Sequence, residues 1–428
     1  MTSVTTDSAH KHRFLLGLAL GLIVVCGVAV LVIPAGGGWD FANFYDTGRR
    51  VAAGQLRDIY NPTSLIAGAT PQGKMAFWGA PVSAWLYAPL ALLSPKTALI
   101  AFKLMALLAS AGALVLLYRL TRDFVEDEPE ARARFAMLFA FLVLLFQPFW
   151  TIYRVGGQTT PLALLLLVLA MTTYVRGRYL ATALWLVLAV LVKPAFVVIP
   201  AFLALVSGRK FLVTLVAVGG VVALGSIIIF GWPIHREFLE IVRRGSEKPS
   251  PWPFNSSVYI VADAFRTIKD SIPIRGSGGL FPGLLRVALK LLVVGTFVAI
   301  MIQSYRETWP PDRRRLFNFL MAIAFCLLIS QVVWEHYLAL LFIPLAFLVA
   351  AWHRLDRGAH RHLAAILGLC VLQNLVLVLL FKDHVPVRSN LMLLAVSLVK
   401  AGPLLAFWAF LWFRRSSIFQ VSRSLVQA

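Results

Sequence analysis

A few ionisable residues stand at the edges of long apolar runs. Asp40 follows the first run in the stretch GGGWDFANFY, Lys193 interrupts a later run, and His336 opens another run in WEHY. A carboxylate in such a place can act as a general base. A lysine, an arginine or a histidine can bind an anion such as a phosphate. We therefore expect Asp40 to be the catalytic base, and His336, Lys193 and Arg154 to be phosphate ligands.

The stretch around Asp40 contains a second aspartate with different neighbours. Apolar residues at helical spacing over 41–54 predict a short interfacial helix that ends in a glycine. Asp46 lies inside this helix, three and four residues before Arg49 and Arg50, which favours a local ion pair. Asp40 lies at the helix start, where an aspartate is also a good N-cap. Helix capping therefore stays an alternative to the catalytic role.

The predicted topology puts Asp40, Lys193 and His336 at one depth, where they should line one cavity, and further residues gather there. Gln158, near a helix start, is equally suited to capping and to binding a sugar hydroxyl. Asn255 in NSS has the form of a glycosylation acceptor, which matters only in a eukaryotic lumen. His336 is also compatible with an ordinary position at the edge of an amphipathic segment. We assign substrate contacts to Tyr45, Gln158, Asn255, Glu335 and Trp78.

The elements that position these residues are predicted to be membrane helices. The 428-residue chain is 60% hydrophobic and 14% charged, with a mean hydropathy of +0.81. Apolar runs of spanning length recur to its end. We attribute the net charge of +21 to arginine-rich connections that face the cytoplasm and anionic membrane lipid, rather than to nucleic-acid binding. The 3 cysteines lie inside apolar runs and lack metal-ligand spacing.

We predict an all-α polytopic membrane protein with a bundle of about 12 transmembrane helices. Placing every short arginine-rich connection in the cytoplasm also puts the N-terminus (1–13) and the tail (414–428) there. Two long extracytoplasmic loops, 34–77 and 232–280, would carry short interfacial helices. The transmembrane domain is 14–413, with candidate segments 14–33, 97–118, 135–150, 158–175, 179–192, 195–206, 211–231, 281–303, 314–331, 335–352, 362–381 and 390–413.

Two segments determine this topology. The proline-rich stretch 78–94 must not span the membrane, because the arginines of 119–134 would then fall outside. Segment 179–206 carries Lys193 and Pro194 near its middle, and a lysine there is costly unless it reaches water or a partner. We expect two short helices that meet at a water-filled cavity on the outer side. One long kinked helix is the alternative. It would remove one span, and the arginine-rich connections could then no longer all face the cytoplasm.

The absence of several motifs argues against other classes of function. The sequence contains no GxxxxGK[ST] phosphate-binding loop, no GxGxxG after a predicted strand, and no HExxH. The acidic run DEPE at 127–130 lies among arginines in a predicted cytoplasmic loop, so we interpret it as a solvated loop. We expect no cofactor; a divalent metal is compatible with the site but is not required.

An ordered set of motifs resembles glycosyltransferase family 87, which includes the mycobacterial polyprenyl-phosphate-mannose-dependent mannosyltransferases of phosphatidylinositol mannoside synthesis. The resemblance extends over about residues 14–350. Two motifs depart from the common family forms: SQVVW stands in place of SP-x-S-W, and WGAP in place of YPP. The matching motifs are WDFANFY, IYNP at 59–62, GAPVSAWLYAPLALL at 79–93, GGQTTPLALLLL at 156–167, Lys193-Pro194, NSS at 255–257 and SQVVWEHYLALLFIPL at 330–345.

The resemblance implies a GT-C fold, in which the first extracytoplasmic loop of a helical membrane bundle supplies a catalytic aspartate. Asp40 matches that aspartate, and His336 matches the family histidine after the S-x-x-x-W run. The implied activity moves a hexose, with mannose as the leading candidate, from a polyprenyl-phosphate donor to a lipid or glycan acceptor. It would proceed with inversion on the extracytoplasmic side of a bacterial plasma membrane.

Two other functions stay open on the sequence alone. A transporter or flippase of a lipid-linked or anionic substrate would also place charged groups within a membrane. The sequence shows no inverted repeat of the kind that many transporters have. A cell-surface polysaccharide polymerase or ligase, which is also a membrane transferase, is the other alternative.

Overall fold

The computed structural model describes residues 2–32, 39–61, 77–125, 127–154, 157–247, 255–264, 280–382 and 390–414. Within these ranges the chain is helical, and its β-pairing is limited to an isolated antiparallel bridge between Asn255 and Trp334. The α-helices are Thr2–Val32, Trp39–Ala52, Pro95–Arg122, Pro129–Leu145, Gln147–Arg154, Thr160–Val175, Tyr179–Val192, Val198–Val206, Arg209–Phe230, Trp232–Glu247, Leu280–Tyr305, Pro311–Ile329, Phe342–Ala350, Arg357–Lys382 and Asn390–Phe413. The 3-10 helices are Leu56–Asp58, Pro81–Leu92, Pro194–Val197, Glu335–Leu341 and Trp352–Arg354.

The helices include several that are suited to a membrane. Five are long and apolar enough to cross one: Lys11–Val32, Pro95–Arg122, Arg209–Phe230, Phe281–Tyr305 and Met392–Phe413. The bent pair Pro129–Leu145 and Gln147–Tyr153 makes a sixth if it forms one span. These helices confirm the prediction of an all-α membrane protein. The number of about 12 spans, the outward loops and the side of each terminus stay predictions, and parts of both loops lie outside the described residues.

The chain divides into two compact units, each built from separate parts of the sequence. One consists of Gly17–Leu120 and Trp150–Glu247, and we call it the Asp40 unit. The other consists of Met1–Leu16, Thr121–Phe149 and Lys248–Ala428, and we call it the His336 unit.

In the Asp40 unit, the helix Trp39–Ala52 packs against the 3-10 helix Pro81–Leu92. Gly48 allows the close approach, because a Cβ atom there would lie 2.2 Å from the carbonyl oxygen of Tyr87. Phe44 stacks on the Tyr87 ring with the ring centroids 4.7 Å apart. The aromatic core thus fixes the helix that carries Asp40 onto the rest of its unit.

The helix Trp39–Ala52 ends where the sequence predicts. Gly54 adopts φ +73°, and its N–H donates to the carbonyl of Val51 at 3.0 Å. The next N–H, from Gln55, donates to the carbonyl of Arg50 at 2.8 Å. This pair of bonds is the Schellman motif, which favours glycine because a Cβ is strained at positive φ.

Charged residues of the same helix pair locally. Burial lowers the pKa of Arg50, while the negative charges of Asp46 and Asp58 act in the opposite direction. The Arg50 guanidinium also donates to the carbonyl of Asn61 at 2.7 Å. Asp46 is buried within this arrangement. These contacts agree with the prediction that Asp46 interacts with a neighbouring arginine of its own helix.

The segment 179–206 is broken at its middle. The α-helix Tyr179–Val192 ends before Lys193, which has extended backbone angles of φ −141° and ψ 89°. Pro194 explains the break, because a proline disfavours the helical conformation of the residue before it. A 3-10 helix and the α-helix Val198–Val206 follow. The break at Lys193 is therefore observed. The arrangement of the two helices in the membrane, with a water-filled cavity where they meet, stays a prediction.

The His336 unit has its own apolar core around the helix Phe342–Ala350. The ring of Phe342 contacts those of Phe139 and Phe146, with centroid distances of 5.6 and 5.7 Å. The helices Arg357–Lys382 and Asn390–Phe413 pack along each other in the same unit. This core supports the 3-10 helix Glu335–Leu341, which begins with Glu335 and His336.

Candidate active site

Three elements of the Asp40 unit meet at one polar cluster, which consists of Asp40, Gln158 and Lys193. Asp40 lies in the first turn of the helix Trp39–Ala52. Gln158 lies in the turn before the helix Thr160–Val175, and Lys193 lies at the break after Val192. Residues separated by up to 153 positions in the sequence, from Asp40 to Lys193, thus contribute to one site.

Gly157 brings the turn and the Asp40 helix into contact. Its φ of +98° is a conformation that other residues rarely adopt. A Cβ atom on Gly157 would lie 2.3 Å from the Cβ of Phe41 and 2.7 Å from the Phe41 backbone nitrogen. Glycine is therefore required both by the backbone conformation and by the space beside Phe41. This close contact places Gln158 next to Asp40.

The Gln158 side chain connects the two charged residues. Its Nε2 donates to Asp40 Oδ2, and its Oε1 accepts a hydrogen bond from Lys193 Nζ at 3.1 Å. This amide orientation is dictated by chemistry, because an ionised carboxylate only accepts and an ammonium only donates. One neutral amide therefore links a carboxylate to an ammonium without direct contact between them.

The surrounding helices favour both charges. The positive end of a helix dipole lies at its N-terminus, which is where Asp40 sits, and stabilises a carboxylate by about 0.3–1 kcal/mol. The negative end lies at the C-terminus, and Lys193 is the residue that follows the helix Tyr179–Val192. Local helix geometry and the amide bridge thus support the same charge distribution.

Burial acts against both charges and shifts their pKa values toward each other. Removal from water raises the pKa of Asp40, and the positive charge of Lys193 limits this rise. Removal from water lowers the pKa of Lys193 to about 8, and the negative charge of Asp40 limits the fall. A carboxylate with a raised pKa is a stronger base, which suits proton abstraction near neutral pH.

Other predicted residues of the Asp40 unit have different surroundings. Tyr45 is buried, and its hydroxyl donates to the carbonyl of Leu93 at 2.8 Å, so its contacts are those of a packing residue. Trp78 is 53% exposed and remains accessible to a substrate or to lipid. Arg154 ends the helix Gln147–Arg154, but its side chain lies outside the described residues.

The predicted residues of the His336 unit form a second polar cluster. His336 is buried, with its ring against Tyr337 at a centroid distance of 4.8 Å. Glu335 forms a buried ion pair with Lys400. Asn255 is buried and hydrogen-bonds to the backbone of Gln331 and Val333, a few residues before Glu335. The prediction that His336 lines the same cavity as Asp40 and Lys193 stays a prediction.

Sequence reasoning missed Lys400, although a signal for it was present. A lysine inside the apolar run 390–413 is costly and needs a partner, as Lys193 does. The bridging role of Gln158 was also missed. Among the residues described here, no group of three or more histidine, cysteine, aspartate or glutamate side chains has an arrangement that could hold a metal ion.

The sequence matches one known protein family. The family described as glycosyltransferase family 87 matches residues 77–331, which is more than half of the 428-residue chain. The matched region contains Gln158, Lys193 and Asn255, and its limits exclude Asp40 and His336. A search of curated proteins gives no significant match. The chain belongs to glycosyltransferase family 87 and is a membrane glycosyltransferase.

Proposed function

We propose that the protein transfers a hexose, with mannose as the leading candidate, from a polyprenyl-phosphate donor to a hydroxyl of a lipid or glycan acceptor. Transfer would occur with inversion on the extracytoplasmic side of a bacterial plasma membrane. The observation that supports this most strongly is the Asp40–Gln158–Lys193 chain. This chain is suited to keeping the partly buried Asp40 carboxylate ionised. Because Lys193 acts through the amide, it does not block the carboxylate with a direct ion pair.

Asp40 is the general base in this proposal. Its Oδ2 accepts from Gln158, and within the described part of the chain no further hydrogen bond to Asp40 is found. Its other oxygen can therefore accept the proton of an acceptor hydroxyl. As the proton moves to Asp40, the hydroxyl oxygen forms a bond to the anomeric carbon. The bond from that carbon to the phosphate oxygen breaks, and polyprenyl phosphate leaves with the electron pair.

The leaving phosphate needs positive charge or hydrogen-bond donors. We assign this role to His336 and Arg154, as the resemblance and the residue types suggest. The bond from Lys193 to Gln158 changes our assignment for Lys193, because its ammonium is engaged on the side of the base. Its main contribution in this proposal is to keep Asp40 ionised. A phosphate is already a good leaving group, so no strong general acid is needed.

A lipid-linked donor also needs an apolar surface beside the site. The 3-10 helix Pro81–Leu92 packs on the Asp40 helix and leaves Trp85, Leu86 and Leu92 exposed by 50%, 51% and 85%. Its 12 residues extend about 24 Å at the 3-10 rise, less than the hydrocarbon core of about 30 Å. We propose that this helix lies along the polyprenyl tail.

The donor class is tested by the purified protein in nanodiscs that contain anionic lipid. Polyprenyl-phosphate-linked mannose, glucose and arabinose are supplied separately, together with a lipid extract as acceptor. A parallel series supplies the corresponding nucleotide sugars. We expect transfer from a polyprenyl-phosphate hexose, with the opposite anomeric configuration in the product by NMR. Transfer from nucleotide sugars alone, or with retained configuration, would contradict the proposal.

A further inference from the structure

The backbone before His336 is held by a short loop from a distant part of the sequence. Residues 255–257, the NSS motif, hydrogen-bond to residues 330–333, which precede Trp334 and the 3-10 helix Glu335–Leu341. The side chains of 255–257 are almost fully buried, with at most 1% exposed. We call these two segments together the NSS clamp.

Asn255 uses both ends of its carboxamide in the NSS clamp. Its Oδ1 accepts from the N–H of Val333 at 2.9 Å and from the N–H of Ser257 at 3.0 Å. Its Nδ2 donates to the carbonyl of Gln331 at 3.2 Å. The Asn255 side chain thus satisfies one donor and one acceptor of the segment 330–333 and one donor of its own loop. This geometry leaves Asn255 turned toward the protein and away from a substrate or a glycan.

The two serines complete the NSS clamp. The backbone N–H of Ser256 donates to the carbonyl of Val333 at 2.6 Å. The hydroxyl of Ser257 donates to the carbonyl of Ser330 at 2.7 Å. Buried hydrogen bonds of this kind are costly to break, because each separated group would lose its partner without gaining water. The segment 330–333 therefore has a defined position.

A buried ion pair holds the chain at Glu335, two residues after this segment. Lys400, from the helix Asn390–Phe413, is fully buried and pairs with Glu335. Glu335 is the residue immediately before His336, and both belong to the first turn of one 3-10 helix. His336 thus lies directly after a backbone that is fixed by the NSS clamp and by the Glu335–Lys400 pair.

We infer that Asn255 and the Glu335–Lys400 pair are positioning residues that hold His336 in the orientation needed for sugar transfer. The inference rests on the proposed role of His336 at the donor phosphate. It replaces the expectation that Asn255 and Glu335 contact the substrate, because their polar groups bind other parts of the protein. A misplaced catalytic group can lose about a hundredfold in rate from a shift of about 1 Å.

A double-mutant cycle tests the inference. Sugar transfer is measured for Asn255→Ala, His336→Ala and the combined variant, with donor and acceptor varied separately. We expect Asn255→Ala to lower kcat about ten- to a hundredfold and to leave the acceptor KM unchanged. In the His336→Ala background, the same change should have an effect of less than about twofold, because coupled residues are not additive. Asn318→Ala, at another buried asparagine of this unit, should show no coupling to His336.

Two further variants keep the test decisive if Asn255→Ala does not fold. Asn255→Asp retains the acceptor for the two N–H groups, and its protonated form can still donate to Gln331, so its activity relative to the unchanged protein at the same pH should rise toward low pH. The combined variant Glu335→Gln with Lys400→Met removes both buried charges and avoids an unpaired one. It should also lose activity only when His336 is present.

The outcomes separate this inference from the function it rests on. Full activity of His336→Ala would refute the role of His336 at the donor phosphate, and the inference would fall with it. A large loss in His336→Ala, followed by an equal further loss from Asn255→Ala, would show that His336 acts and that the NSS clamp does not work through it. That additive result would overturn the inference alone.

Discussion

Replacing Gln158 with leucine removes the amide between Asp40 and Lys193 and keeps most of the side-chain volume. The amide donates to Asp40 Oδ2 and accepts from Lys193 Nζ at 3.1 Å. A hydrogen bond to a charged group contributes about 1.5–3 kcal/mol, and one pKa unit corresponds to about 1.36 kcal/mol. Gln158→Leu should therefore raise the pKa of Asp40 by about one to two units, because the ionised carboxylate loses its donor.

The pH dependence of kcat/KM for sugar transfer measures this shift. A general base acts in its ionised form, so the rate rises with pH through the pKa of Asp40. In Gln158→Leu the rising limb should move to higher pH by the same one to two units, or about ten- to a hundredfold in rate at a fixed acidic pH. Nanodiscs keep the lipid environment constant across the series.

The matched control is Thr159→Val at the next position. The Thr159 hydroxyl donates to the carbonyl of Val192 at 3.5 Å, and within the described residues no hydrogen bond joins it to Asp40. This variant should leave the rising limb in place. An unchanged limb in folded Gln158→Leu would refute the reasoning, because the titrating base would then not depend on the bridge.

Two further predictions concern the same cluster. Burial lowers the pKa of Lys193 to about 8, so its charge is present below that pH and lost above it. Lys193→Met should move the rising limb of kcat/KM to higher pH, because Asp40 loses the positive charge that keeps it ionised, whereas Lys193→Arg should leave the limb nearly in place, since a guanidinium stays charged. A rising limb that does not move in Lys193→Met would exclude this role of Lys193. Gly157→Ala should reduce sugar transfer and thermal stability together, because the new Cβ meets Phe41 at 2.3 Å. Gly54→Ala, also at positive φ but with open space around it, should lose only about 1–2 kcal/mol of stability and retain transfer; equal losses of transfer in both variants would contradict the proposed contact.

The sequence predicts the helices well because their signal is local. Long apolar runs locate the observed helices Pro95–Arg122 and Asn390–Phe413 to within a few residues. The Lys193-Pro194 pair predicts the break in segment 179–206, since a proline acts on the residue before it. Gly54 likewise ends its helix through its own backbone conformation. Each of these features depends on residues close together in the sequence.

The contacts within the site are harder to predict because they join distant parts of the chain. Asp40 and Lys193 were expected at the same depth, but the amide between them depends on the conformation of Gly157. Nothing in the residues around Gln158 reveals which side chains its two ends would meet. A shared predicted depth therefore indicates a common region but not a hydrogen-bond partner.

The His336 unit shows the same limit for buried polar residues. Lys400 and Glu335 are 65 positions apart, so neither residue predicts the other from its local sequence. Asparagine is a residue type that can bind a sugar. Only the structure shows that the Asn255 carboxamide hydrogen-bonds to the backbone of Gln331 and Val333. Residue type and membrane depth thus identified polar residues that matter to the fold, without distinguishing a positioning role from substrate contact.

Asp40 is the proposed base for sugar transfer, and Asp40→Asn tests this role most directly. The measurement is kcat for transfer from the active polyprenyl-phosphate hexose, with donor binding measured on the same sample. Asp58→Asn, an exposed aspartate of the same unit, is the matched control and should retain full activity. We predict that Asp40→Asn binds donor normally and loses about 10²–10⁴-fold in kcat. Undiminished transfer by Asp40→Asn would contradict the account.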